Sequence, residues 1–388
     1  MRSTLFRKKA ASFLELPYTA DLSDRQVVVD RQTAYLGHPD LVETDDGRLI
    51  VAYPSGHGRG KIIMKTSDDF GKTWSARREG LPASWDKSQE TPTVYNLHFS
   101  SGKTKLVLIS GCPHWDAGVR DGKFLPEMFP NGFNFSYSDD GGKTWSEFEN
   151  FYSPMNATVC MSSLTRLKEN GKFVDKWMGT FHEQDFTNYK SILTFDEDGK
   201  ARWSKPVPFL APHCEIEKRV GICEIEIIRS DKDVLILIAR GETRKTRSVI
   251  SLSYDEGETW TAPKELPYLL CGDRHKAAFD KTSGKVIVSF RQFIPEKQSL
   301  FSARKGVYDG WAAWIGTFDD LISFASEEKP ARYGEKLYLL GKNYGNWYDC
   351  GYNGIVTRDG KALLVTYGAF DKNSATPYIV ATELDMTK

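Results

Sequence analysis

Six times along the chain, a short β-rich run is followed by a tight turn and a second, strongly apolar run. The first reads His38-Pro39-Asp40-Leu41-Val42-Glu43-Thr44, turns at Asp46-Gly47 and continues Arg48-Leu49-Ile50-Val51-Ala52-Tyr53. The others begin at Glu90 (turn Ser101-Gly102), Thr158 (Asn170-Gly171), Cys223 (Asp231 to Asp233), Arg274 (Ser283-Gly284) and Tyr352 (Asp359-Gly360). Asp-Gly and Asn-Gly between β-rich runs signal hairpins. Second runs such as Val234-Leu235-Ile236-Leu237-Ile238 and Val286-Ile287-Val288-Ser289-Phe290 are apolar almost throughout, as strands buried on both faces are. No stretch sustains a 3.6-residue period. The pattern predicts an all-β chain with six inner hairpins.

A second repeat is independent of the first. The motif S-x-D-x-G-x-T-W occurs at Ser67–Trp74, Ser138–Trp145 and Ser253–Trp260. A looser copy runs from Thr194 through Asp196 and Gly199, with Trp203 one place late, and an echo stands at Thr317-Phe318-Asp319-Asp320. The first four begin 71, 56 and 59 residues apart, a spacing that suits a four-stranded blade with its loops. Serine and aspartate bond the backbone of a turn, glycine supplies a positive φ and tryptophan packs into the blade, so these residues read as staples remote from chemistry.

The motifs are Asp boxes, and on them the chain resembles the sialidase superfamily. The resemblance implies a six-bladed β-propeller of four-stranded antiparallel blades, one domain spanning 1–388. Pairing Arg25–Asp30 with the late strand Tyr378–Thr382 would close the ring and remove an exposed edge.

Composition narrows the partners. With 52 basic and 52 acidic residues among 388 and no long basic run, neither nucleic acid nor an anionic membrane is expected as the main partner. No apolar run reaches the 18 residues of a spanning helix, and the N-terminal stretch lacks the apolar core of a secretory leader. The six cysteines show no CxxC pair or metal spacing and read as free, mostly buried thiols. The expectation is a cytoplasmic protein, or a secreted one if a leader precedes this chain, with no cofactor and no metal.

In a propeller, each first strand starts at, and each second strand returns to, the same mouth. That rule gathers His38, Glu90, Cys160, Glu224, Arg274, His275, Asp349 and Tyr352 with His57, Arg59, His114, Asp116, His182, Arg240 and Arg291, hence five of the seven histidines. Arg240, Arg274 and Arg291 would offer bidentate donors to a carboxylate, the alternative being ion pairs between blades. Arg244 and Arg247 read as solvated strand residues. Trp115, Trp311, Trp314, Trp347 and Tyr348 are candidates to stack on sugar rings.

The order Glu224, apolar strand, turn, apolar strand, Arg240, Asp box is similar to the sialidase stretch whose glutamate activates a tyrosine nucleophile. Glu226 is the rival by strand alternation. Tyr352, opening the last blade beside Asp349, matches that tyrosine. Two features depart from the family pattern. Gly37-His38-Pro39 stands where the family has an R-I-P arginine, and Gly56-His57-Gly58-Arg59-Gly60 lacks the family's aspartate acid. Arg59 would supply the cation and His57 the proton, with Asp116 and Glu90 as substitutes. His38, Glu90, His182 and His275 complete the expected binding set. The resemblance thus implies an exo-acting glycoside hydrolase removing a terminal acidic sugar, such as sialic acid, from a glycan or oligosaccharide. The alternatives are a glycosidase of the same fold on another sugar, centred on His38, His57 and His275, and a non-catalytic carbohydrate-binding propeller.

Overall fold

The computed structural model describes residues 18–112, 132–152, 155, 157–295, 306–326, 336–345, 349–374 and 376–388. The six predicted hairpins are the inner strand pairs of six blades. Blade 1 holds Asp40–Glu43, Leu49–Pro54 and Ile62–Ser67; blade 2 holds Thr93–His98, Thr104–Gly111, Phe133–Ser138 and Glu149–Phe151. Blade 3 runs Leu164–Glu169, Lys172–His182, Asn188–Phe195 and Ala201–Trp203, and blade 4 runs Ile222–Arg229, Leu235–Gly241, Val249–Ser253 and Lys264–Glu265. Blade 5 runs Gly272–Asp280, Lys285–Pro295, Gly306–Gly316 and Lys336–Lys342, with Tyr18–Asp21 added in parallel at its edge. Blade 6 runs Asn353–Arg358, Lys361–Gly368 and Tyr378–Asp385. Its outer strand is Val27–Asp30, antiparallel to Tyr378–Asp385, which is the expected closure.

The apolar second strands fill the spaces between blades. Ile236 and Ile238 of blade 4 share one buried cluster with Val288, Phe290 and Trp314 of blade 5. Burial on both faces is what their unbroken apolar sequence requires. Trp311 and Trp314 are fully buried, Trp311 donating its indole N–H to Ser289 Oγ at 2.7 Å. They are core residues rather than stacking platforms for sugar. Trp115, Trp347 and Tyr348 lie outside the described residues.

Three Asp boxes have one geometry. In the second, Ser138 Oγ accepts the Gly142 N–H at 2.9 Å, Asp140 accepts the Thr144 N–H at 2.9 Å and hydroxyl at 2.6 Å, and Trp145 donates to the Gly142 carbonyl at 3.2 Å. Gly71, Gly142 and Gly257 sit at φ 81°, 82° and 83°. Each glycine also abuts the preceding blade. A Cβ on Gly142 would come 2.5 Å from Ile50 Cδ1, one on Gly71 2.5 Å from Leu363 Cδ2, and one on Gly257 2.8 Å from Met178 Sδ. The boxes therefore interlock neighbouring blades. Gly142→Ala is expected to lose more than about 1 kcal/mol of stability, from strain at positive φ plus the contact with Ile50. Thermal unfolding checks this.

Two motifs differ from expectation. Asp196 keeps one bond of the box, accepting the Lys200 N–H four residues on at 2.8 Å, but pairs with Arg202 where the boxes have a threonine hydroxyl. Thr317 and Asp320 instead form a reciprocal cap, Thr317 N–H to Asp320 Oδ2 at 2.8 Å and Asp320 N–H to Thr317 Oγ1 at 3.2 Å, opening the helix Phe318–Ser326. That helix and Cys214–Val220 were not predicted, because nine and seven residues are too few to show a sustained period. All six cysteines are free, and Cys214 alone is exposed.

Candidate functional site

At the mouth, the inner strands break regular β geometry. In blade 4 the register jumps from Cys223 opposite Arg240 to Glu226 opposite Ile238, and in blade 5 from Asp273 opposite Arg291 to Lys276 opposite Ser289. These bulges leave Glu224 at φ 52° and Arg274 at φ 48°, and His38 of blade 1 stands at φ 55°. Bulges re-aim side chains, and left-handed non-glycine residues persist only where their surroundings hold them, a pattern that marks functional sites.

These residues line a cavity of about 390 Å³, together with His57, Arg59, Glu90, Thr91, Cys160, Arg240 and Tyr352. The Tyr352 hydroxyl donates a short hydrogen bond to Glu224 Oε1 and accepts one from Arg240 Nη1 at 2.8 Å. Arg240 Nη1 also reaches Glu224 Oε1 at 2.7 Å, and Glu224 Oε2 accepts the Arg274 N–H at 2.8 Å. Burial, reinforced by the charge on Glu224, pushes the Tyr352 phenol well above its ordinary range. Burial works most strongly to raise Glu224, but Arg240, Arg274 and the Tyr352 hydrogen bond together outweigh it and keep this carboxyl below the usual range. The result is a neutral phenol held against an ionised carboxylate that can take its proton.

Glu90 is a contrasting carboxyl. It accepts N–H bonds from Val159 at 2.7 Å and Cys160 at 3.1 Å, yet burial pushes it up to about 7. Gly111 makes room for it, since a Cβ there would lie 2.0 Å from Glu90 Oε2.

The histidine side of the mouth is a relay. His38 Nδ1 accepts the Gly58 N–H at 3.0 Å, so the proton of this buried, neutral imidazole sits on Nε2, 3.1 Å from the Tyr367 hydroxyl. Tyr367 and Tyr35 donate to Asp349 Oδ1 at 2.9 and 2.8 Å, and His57 Nδ1 faces the same oxygen at 3.2 Å. Although burial raises the Asp349 carboxyl, these partners, His57 foremost, hold it at about 2.

The arginines are arranged around a residue that the sequence reading passed over. Asp273, fully buried, takes both Arg244 Nη atoms, Arg291 Nε at 2.9 Å and Nη2 at 2.7 Å, and faces Arg240 Nε at 3.2 Å. Arg244 is thus an interior ion-pair partner and not a solvated strand residue; Arg247 pairs with Glu265 at 2.9 Å. Arg291 lies behind the cavity, its guanidinium 4.9 Å from the Tyr352 ring centroid. The Arg274 side chain faces the cavity without an ion pair among the described residues.

The structure thus gathers Tyr352, Glu224, His57, His38, Arg59, Glu90, Arg240 and Arg274 into one lining, with Asp349 just behind His57. His182 and His275 are not in it. The His275 ring bonds the Leu270 carbonyl at 2.8 Å and stacks on Phe290, and His182 Nδ1 lies 2.8 Å from the Glu183 carbonyl with its ring on Phe186. Their backbones reach the mouth, but their rings turn into the blades. Glu226 also stays off the lining: it accepts the Ala277 N–H at 3.1 Å. His114 and Asp116 fall outside the described residues. Among the described residues, no group of three or more His, Cys, Asp or Glu side chains is placed to hold a metal ion. Asp273 could have been found as the acidic residue opposite Arg291 in the blade-5 hairpin. Tyr35 and Tyr367 carried no comparable signal.

The architecture, a ring of six antiparallel blades with a polar cavity at one mouth, is that of a six-bladed β-propeller. Residues 128–271 match the BNR repeat-like domain and residues 65–76 the BNR/Asp-box repeat. No curated protein matches the chain. Among solved structures, a Dyadobacter fermentans protein of unknown function is 16% identical, with 93% of this chain and 98% of that one covered at a TM-score of 0.62. The intramolecular trans-sialidase from Ruminococcus gnavus is 13% identical over 93% and 96% of the two chains, TM-score 0.57. A Penicillium chrysogenum α-L-arabinanase complexed with arabinobiose is 12% identical over 94% and 98%, TM-score 0.53. The chain is a sialidase-like BNR propeller.

Proposed function

We propose that this chain is an exo-acting glycosidase that binds a carbohydrate end in the mouth cavity and cleaves its terminal glycosidic bond. The observation that carries the reading is the Tyr352–Glu224–Arg240 triangle in the cavity. The sialidase and arabinanase likenesses in fold support it.

Tyr352 Oη bonds to the anomeric carbon as its proton passes to Glu224, and the glycosidic C–O bond breaks with a proton delivered to the leaving oxygen. Glu90 is the donor favoured here, because burial keeps its carboxyl protonated close to neutral pH. His57, on the exposed rim beside Asp349, is the other candidate. In the second half, water gives a proton to the ionised acid and its hydroxide to the anomeric carbon, while Tyr352 leaves and recovers its proton from Glu224. The acidic sugar that the resemblance implies, sialic acid for example, would have Arg274 and Arg59 to meet its carboxylate, since Arg240 and Arg291 are engaged by Asp273.

The test is release of a chromogenic aglycone from a glycoside panel, and failure to release any would overturn the reading. A donor carboxyl near 7 is protonated below that pH, so kcat/KM should fall about tenfold per pH unit above it. Glu90→Gln should remove that alkaline limb. It should also slow substrates with poor leaving groups by about 10²–10⁴ while sparing activated aryl glycosides. An unchanged alkaline limb in the variant would pass the role to His57.

A further inference from the structure

We infer that the cavity is built for a neutral sugar, one bearing no carboxylate, because Asp273 already occupies the arginine cluster as an internal carboxylate. The inference rests on the glycosidase reading above and specifies its substrate class.

The cluster is closed on itself. Arg240, Arg244 and Arg291 meet Asp273, Glu224 and Glu242, three cations against three carboxylates. A guanidinium has five N–H donors. Arg240 meets Glu224 and Tyr352 through Nη1 and Glu242 through Nη2, while its Nε lies 3.2 Å from Asp273 as an ion pair without a hydrogen bond. Arg291 spends Nε and Nη2 on Asp273, and Arg244 spends both Nη atoms there.

The position of Asp273 makes this arrangement fixed. It stands opposite Arg291 in blade 5, just where Cys223 stands opposite Arg240 in blade 4, so its carboxylate projects between the two arginine-bearing hairpins from a fully buried backbone. A substrate carboxylate would have to displace a buried, multiply bonded ion, leaving it unpaired in low dielectric. Arg274 and Arg59 remain in the lining, but they share the cavity with two carboxyl groups, Glu90 and Glu224. Glu90, Thr91 and His57 are the groups placed to read sugar hydroxyls.

The experiment compares 4-nitrophenyl glycosides of neutral hexoses and pentoses with the 4-nitrophenyl α-sialoside and β-glucuronide, alongside calorimetric binding of the free neutral monosaccharides and N-acetylneuraminic acid. The best neutral substrate is expected to exceed either acidic one in kcat/KM by about a hundredfold or more. Equal or faster turnover of an acidic glycoside, or tighter binding of N-acetylneuraminic acid, overturns the inference and leaves the glycosidase reading standing. Selective binding of a neutral sugar with no turnover of any glycoside does the reverse. Binding of neither class overturns the inference as well. Asp273→Asn should gain affinity for N-acetylneuraminic acid if it folds; the wild-type panel decides the matter if it does not.

Discussion

Tyr352→Phe is expected to lower kcat by about 10³-fold or more while changing KM by less than about tenfold, the split that marks loss of a group acting in the transition state. The substitution removes only the hydroxyl. The ring would keep its place beneath Arg291 and edge-on to His38 and Tyr367. Glu224 would keep Arg240 Nη1 and the Arg274 N–H, so the carboxylate stays satisfied and ionised. The measurement is steady-state kinetics on the best substrate, with sugar binding by calorimetry as the control. A variant retaining more than a tenth of wild-type kcat would show that Tyr352 is a packed core phenol and not the nucleophile. Glu224→Gln should resemble Tyr352→Phe if the two act as one unit, and combining the two should cost little more than either alone.

Asp273→Ala is expected to be the most destabilising single change in the molecule, costing roughly 3–5 kcal/mol. It would leave Arg240, Arg244 and Arg291 with an uncompensated buried charge. The strength of that neutralisation shows in the carboxyl itself. Burial would raise it, but Arg240, Arg291 and Arg244 outweigh burial and hold it far below the usual carboxylate range. A carboxyl depressed on folding stabilises the protein above its unfolded pKa, near 4, and that contribution is lost only as pH falls towards the depressed folded value. The wild type should therefore retain the Asp273 contribution at neutral and mildly acidic pH. Urea unfolding at pH 7 measures the difference, and a loss below about 1 kcal/mol would mean that the arginines find other partners.

The site was legible in parts. Tyr352, Glu224, Arg240, Glu90 and the glycine loop bearing His57 and Arg59 came from strand order and motif resemblance, since each lies at a strand start or end, where topology alone sets the mouth. His182 and His275 share that backbone position, yet their rings point elsewhere, because ring direction depends on packing against Phe186 and Phe290. Alternation put Glu224 and Glu226 on one face as rivals. The bulge between Cys223 and Glu226 separates them, sending Glu224 to the cavity and leaving Glu226 against the Ala277 amide.

What the sequence determined by itself is the propeller: six hairpins, three Asp boxes and the strand that closes the ring. Hairpin turns, box hydrogen bonds and apolar runs are local, spanning a few residues whose spacing is visible in one dimension. What only the tertiary structure decided is the chemistry of the mouth. Tyr352 meets Glu224 across 128 residues and His38 meets Tyr367 across 329. Asp273, one undistinguished residue before an arginine, becomes the ion at the centre of three guanidiniums. Charge balance and proton affinity in a buried site depend on which groups are brought within a few ångströms of one another, and that proximity exists only once the blades have closed.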